Sequence, residues 1–221
     1  MSISLDVGTP GAIPNLDTLK SEVGDWLDRG DSLDDKIPVF VQMFEAEANR
    51  ILRTPEMEHT VTFSVADEDT PLPDDYLAMR AVYREDGTAD SLLRGMSPTA
   101  IKADYSGATG TPQAYALVSG GIRIAPPPAD EELLTMDYYR QIEPLSVVAP
   151  SNWLLEKHPD AYLYGTLYYA EAYLDNAVRA SQWRSMLDIT FERINRSSRG
   201  DRYGAGPLVP NATRQVRGAR C

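Results

Sequence analysis

The sequence predicts an α+β fold: a helical bundle formed by the N- and C-terminal helices, an inserted β-rich domain, and an extended C-terminal tail. Three observations predict it. Apolar residues recur at helical spacing before residue 55 and again after residue 146. Between them the spacing switches to alternation with period two, broken by Gly and Pro. The last two dozen residues have almost nothing to bury. The expected boundaries are 1–55 and 146–197 for the bundle, 56–145 for the insert and 198–221 for the tail. Helices on both sides of a β segment must cover their apolar stripes on each other, so the β segment is an insert in one bundle.

Met1 to Leu16 holds Gly8, Pro10, Gly11 and Pro14 and reads as an irregular lead-in. Asp17 or Thr18 is expected to cap a first helix running to about Arg29, with Leu19, Val23, Trp26 and Leu27 on one face. Gly30-Asp31-Ser32 ends it. Asp34-Asp35 then open a second helix at its positive dipole end, with Pro38 in the first turn, where its missing N–H is harmless. Ile37, Phe40, Val41, Phe44, Ala48, Ile51 and Leu52 form its apolar stripe. Thr60 to Val65 alternates as a strand, and Asp67-Glu68-Asp69 reads as a solvated acidic loop. Leu72 to about Arg84 is a further mixed segment, ended by the Asp86-Gly87 turn. Ser97-Pro98 starts a short helix through Tyr105. Tyr115 to Val118, the Gly120-Gly121 turn and Ile122 to Ile124 read as a tight hairpin. Pro126-Pro127-Pro128 forces extended backbone. Leu134, Met136 and Tyr138 mark one more strand. The middle third is therefore a small sheet or sandwich. Ser151 is expected to cap a short helix over Asn152 to Leu155. Pro159 starts a long helix to about Asp175, striped by Leu163, Leu167, Ala170 and Leu174. A last helix, Ala177 to Ser197, aligns Ala180, Trp183, Leu187, Phe191 and Ile194.

At 221 residues the chain is long enough for a real core, and 43% hydrophobic with 24% charged residues is ordinary for a soluble globular protein. The first ten residues lack the basic and apolar regions of a secretory signal, so none is expected. The longest apolar run, around Ile37 to Phe44, is too short to span a bilayer. The single cysteine, Cys221, excludes an intrachain disulfide and fits a reducing cytoplasm. A net charge of −12 argues against nucleic-acid binding by the whole body. Its distribution matters more. From Arg196 to Cys221 six arginines oppose one acid, Asp201, while residues 1–195 hold the other 15 basic and 32 acidic residues. An acidic body with a basic tail marks a docking tail.

No catalytic, metal or cofactor residues are expected. His59 and His158 are a hundred residues apart, and with Cys221 the only thiol no zinc site of ordinary spacing can form. Neither histidine accompanies a nucleophile elbow. Asp67, Glu68, Asp69, Asp74 and Asp75 lack the twelve-residue spacing of a calcium loop. Tyr162, Tyr164, Tyr168, Tyr169 and Tyr173 crowd one helix all round, which fits either core packing with an ordinary surface or burial by neighbours on both sides. The tail has four glycines and two prolines; ordering 24 such residues costs on the order of 1–2 kcal/mol each in backbone entropy. Its arginines suit DNA phosphates or a groove on a partner protein, and the apolar anchors Tyr203, Leu208 and Val209 favour the partner.

Several segments in order resemble the head-to-tail adaptor family of short-tailed phages, the tail tubular protein A type. They are Leu72-Pro73-Asp74-Asp75-Tyr76, Gly110-Thr111-Pro112-Gln113-Ala114-Tyr115 and Pro126-Pro127-Pro128-Ala129-Asp130. Asp137-Tyr138-Tyr139-Arg140, Asn152-Trp153-Leu154-Leu155, Pro159 to Gly165 and Trp183 follow. Together they cover most of residues 18–195. The resemblance implies a non-enzymatic ring, usually of twelve subunits, between the portal protein and the tail nozzle or tail tube protein. It also implies a virion location after assembly in the host cytoplasm, no membrane, and genomic DNA passing through the channel without specific binding. Portal contact is then expected from Arg199, Arg202, Tyr203, Leu208, Val209, Arg214, Arg217 and Arg220, and subunit contact from Tyr164, Tyr168, Tyr169 and Tyr173. An acidic channel wall would repel phosphates and avoid sticking. Two other classes compete: a tail-associated envelope hydrolase, and a DNA-binding accessory protein using the basic tail.

Overall fold

The computed structural model describes residues 13–29, 33–66, 68–85 and 90–203. Within them the helices flank two sheets, as an α+β chain with a β insert requires. Helix α1 spans Leu16–Leu27 and is capped by Asn15 rather than by Asp17 or Thr18. Asn15 keeps extended backbone, and its Oδ1 accepts the Thr18 N–H at 2.9 Å; the two expected caps already lie inside the first turn. The helix ends two residues earlier than expected, at Leu27, with Asp28 in the left-handed region as its C-cap.

Helix α2 spans Ile37–Ile51 with Pro38 in its first turn. Asp34 and Asp35 sit in the turn before it, and Lys36 takes the cap position without a side-chain bond. Its stripe is buried as the spacing predicts, except Ile51, which is 38% exposed. The helix stops at Ile51, so Leu52 leaves in extended backbone and swings into the core instead. Helix α3 is Pro98–Asp104, capped by Ser97 as expected. Helix α4, Trp153–Lys157, is capped by Asn152 and not Ser151: Asn152 Oδ1 accepts the Leu154 and Leu155 N–H groups at 3.1 and 2.9 Å. Helix α5 is Pro159–Tyr173 and α6 is Ala177–Tyr203, six residues longer than the spacing predicts.

Helix α5 is the centre of the bundle, packing on α1, α2, α4 and α6. A helix apolar on every side is buried on every side. Gly165 permits the closest of these approaches. A Cβ there would stand 2.0 Å from the Phe44 ring of α2. Phe44 in turn lies against Tyr162 and stacks on Phe191 of α6.

Strands β1 (Glu58–Val65), β8 (Glu132–Arg140), β3 (Tyr76–Glu85) and β4 (Asp90–Leu92) form one sheet in the order β1-β8-β3-β4. Strands β2 (Asp69–Pro71), β7 (Gly121–Ala125), β6 (Ala114–Val118) and β5 (Arg94–Gly95) form the other, in the order β2-β7-β6-β5. The β6–β7 hairpin turns at Gly120, whose φ of 76° favours glycine. Val65, Val82, Leu134, Met136 and Tyr138 from the first sheet meet Ile122 and Ile124 from the second, so the insert is a two-sheet sandwich with its own core. The bundle core is a separate cluster. The expected acidic loop is corrected here. Asp69 belongs to β2, and Arg123 of β7 grips its carboxylate with two bonds of 2.7 Å and meets Glu68 at 3.2 Å.

Candidate assembly surfaces

The insert is fastened to the bundle by side chains of α2. Asn49 Oδ1 accepts the Ile142 N–H at 2.8 Å, and Glu45 Oε1 accepts the Leu145 N–H at 2.8 Å. Both backbone groups belong to the segment without regular secondary structure that returns from β8 to α4. Tyr162 of α5 donates its hydroxyl proton to Glu45 at 2.9 Å and accepts from Asn152 Nδ2 at 2.7 Å. The same Asn152 amide donates to Glu143 O at 2.7 Å. Each buried polar atom in this latch therefore has a partner, as burial demands. Burial raises the Glu45 pKa against the opposing effect of its Leu145 and Tyr162 bonds, and burial beside Glu45 raises that of Tyr162.

Three of the four tyrosines expected at a subunit contact are engaged within the chain. Tyr164 stacks on Trp183, 5.9 Å between ring centroids. The Tyr169 hydroxyl donates to Glu47 at 2.9 Å, and its pKa is pushed up to about 12 by burial and by that carboxylate. Arg184 of α6 also binds Glu47 and lies over the Tyr168 ring at 5.6 Å. Tyr173 alone of the four is largely free, 59% exposed with one edge near Phe40. The aromatics that crowd α5 thus find their second layer of neighbours in α2 and α6 of the same chain.

Of the residues expected to reach a portal, Arg199, Arg202 and Tyr203 lie on the last turns of α6. Leu208, Val209, Arg214, Arg217 and Arg220 lie outside the described residues. Ile194 and Ser198 are the last described side chains that α6 buries, and its backbone stays helical to Tyr203.

Two features escaped the sequence reading. Val147 and Val148 are 91% and 95% exposed on a loop held by Ser146 N–H to Ala149 O at 2.9 Å and Leu16 N–H to Pro150 O at 2.8 Å. Nothing in a short non-periodic apolar run reports which way it faces. The other feature is the outward surface of α2 and α6. Between Pro38 and Asn49 the exposed positions of α2 are Val39, Gln42, Met43 and Ala46. In α6 they are Val178, Ser181, Gln182, Ser185, Met186 and Ile189, with Asp188 at the margin in an ion pair to Arg184.

His59 stands edge-on to Tyr138 at 5.6 Å, and His158 sits between α4 and α5, where burial lowers its pKa. A cleft of about 540 Å³ at the latch is lined by Asp74, Asp75, Arg140, Glu143 and Trp153, with Asp75 accepting from Tyr138 at 2.8 Å. Among the described residues no group of three His, Cys, Asp or Glu side chains is placed to hold a metal ion, and no helix is long and apolar enough to cross a membrane.

The family model of the SU10 adaptor protein matches residues 14–214, which takes in the whole bundle, the sandwich and most of the basic end. No curated protein matches the chain. A match over that span, on a helical bundle with a β-sandwich inserted, places the chain in the SU10 adaptor protein family, the phage head-to-tail adaptors its motifs resemble.

Proposed function

We propose that the protein is a structural, non-enzymatic subunit of a ring, twelve-fold by the family resemblance, between the phage portal and the tail nozzle. The ring extends the DNA channel, and each subunit holds the portal through its C-terminal residues. The observation that carries this reading is the course of α6. The helix is anchored in the bundle by Leu187, Phe191 and Ile194 and runs on to Tyr203, and the sequence that follows carries arginines and no acid. Residues 204–221 hold three arginines, two prolines and the anchors Leu208 and Val209. Such a segment cannot offset its own ordering entropy, so any single shape it takes needs a surface supplied by a partner. An arginine fork grips carboxylates bidentately, which suits an acidic groove on the portal.

The test is a chain ended after Tyr203, where Ser198 and the last turns of α6 are kept. It retains the melting temperature of the full chain within a degree or two, and its association with the portal ring falls at least tenfold in a sedimentation assay. Undiminished association of the shortened chain would remove the role assigned to these residues.

A further inference from the structure

Exposed helix surfaces ordinarily carry charge, and isolated exposed apolar residues mean little. Helix α1 follows the rule, with Asp17 and Asp25 exposed and Lys20 and Glu22 half-buried along its outer side. Helix α2 does not. Its two carboxylates, Glu45 and Glu47, are both turned inward to the latch and to Arg184, and its exposed face from Val39 to Ala46 carries no charge. Met43 is 46% exposed there. Helix α6 repeats the pattern from Val178, 69% exposed, through Met186, 45% exposed, to Ile189. The two exposed serines of that stretch turn their hydroxyls back onto the helix's own carbonyls, Ser181 to Val178 O at 2.8 Å and Ser185 to Ser181 O at 3.0 Å. That face therefore asks little of water.

We infer that the uncharged face of α2 in one subunit packs against the uncharged face of α6 in the next copy of this chain, forming the subunit contact of the ring. The two faces match in composition, each with a Val, a Gln, a Met and small residues. The α6 face is the longer: Val39 to Ala46 spans seven steps, about 10 Å of helix, and Val178 to Ile189 eleven, about 16 Å. Within the α6 stretch the exposed Asp188 lies at the margin, paired to Arg184; past the stretches come Arg50 on α2 and Glu192 and Arg193 on α6, so a parallel register brings Arg50 toward Glu192. Within one subunit the inner sides of both helices share one core through the Phe44–Phe191 stack and the Glu47–Arg184 pair, so their outer faces look away from it in two directions. One subunit's α2 face covered by another's α6 face leaves one of each still open. That is a heterologous contact, which propagates and closes into a ring. The paired helices form the apolar centre of a contact that needs about 800 Å² per partner in all.

This inference rests on the ring reading, and the experiment separates the two. Full-length chains are measured by native mass spectrometry and sedimentation, with and without portal rings. Met43→Lys and Met186→Glu each weaken self-association at least tenfold, while circular dichroism and melting stay as in the unsubstituted chain, since both positions are surface ones. Mixed together the two variants associate again, because the lysine face meets the glutamate face and the remaining faces are native. Leu133→Lys, at a 62% exposed position on the sandwich, leaves assembly intact. Rings that form undisturbed from either variant alone would overturn this contact and leave the ring reading standing. An unsubstituted chain that stays monomeric on the portal would end both.

Discussion

Glu45 shows how a single side chain joins two parts of the molecule, and its burial has a measurable signature. Folding raises its pKa above the ordinary glutamate value of 4.5, chiefly through desolvation. The folded state thus holds the proton more tightly than the unfolded chain. The stabilisation from this group is complete below about pH 4.5 and fades as the pH climbs through the folded value. Glu45→Gln keeps the acceptor for Leu145 N–H and does not titrate. In urea titrations at pH 4.5 and 7.5, the stability of the natural chain relative to this variant falls at the higher pH; a pH-independent difference would contradict the buried-charge account. Gly165 offers a second test at this scale. Alanine there gains about 1 kcal/mol of helix propensity but drives a methyl into the fully buried Phe44 ring, so Gly165→Ala is net destabilising by about 1–3 kcal/mol in denaturant melts. A neutral or stabilising result would mean that α2 and α5 are further apart than described. Phe44, Ala48, Leu167 and Phe191 were legible from spacing alone. The partners of Tyr162 were not, because Glu45 lies 117 residues away and no local pattern reports a contact of that separation.

At the scale of elements, order and type were readable while ends were not. The apolar stripes of α2 and α6 repeat over three or more turns, and the Leu134, Met136, Tyr138 alternation of β8 is equally regular. Helix starts depend on one side chain, and here Asn15 and Asn152 took the role expected of Asp17 or Thr18 and of Ser151. In both cases an asparagine stands just upstream or downstream of an equally good cap, so composition could not choose between them. The end of α6 was set too early because Ser197-Ser198 and Gly200 look like breakers; Ser198 is instead buried with its hydroxyl bonded to Ile194 O. Asn152 caps α4 and also donates to Glu143 O and Tyr162. Asn152→Ala is therefore expected to cost more than an ordinary cap, about 2–3 kcal/mol in thermal or urea unfolding, against about 1 kcal/mol for Asn15→Ala. Equal losses at the two sites would show that the latch adds nothing to the cap.

For the whole molecule, the separation of charge seen in the sequence has a structural counterpart. All but one of the acidic residues fall before Arg196, in the part of the chain that builds the bundle and sandwich cores, and positions 196, 199 and 202 of the arginine-rich end lie on the last turns of α6. In the proposed ring a channel wall drawn from such a body would repel DNA phosphates; the assembled ring is expected to bind duplex DNA no more tightly than about 10⁻⁴ M at physiological salt, and micromolar affinity would contradict that role. The candidate surfaces were legible only in part. The basic end was plain from composition, whereas the exposed faces of α2 and α6 were not, since spacing does not tell a helix buried by its own chain from one buried by a neighbour. The most direct measurement is a cryo-EM reconstruction of the assembled connector. The account predicts a closed ring in which residues 204–221 of every subunit leave the end of α6 and lie along the portal. A map in which the sandwich holds the portal and those residues point toward the nozzle would contradict it.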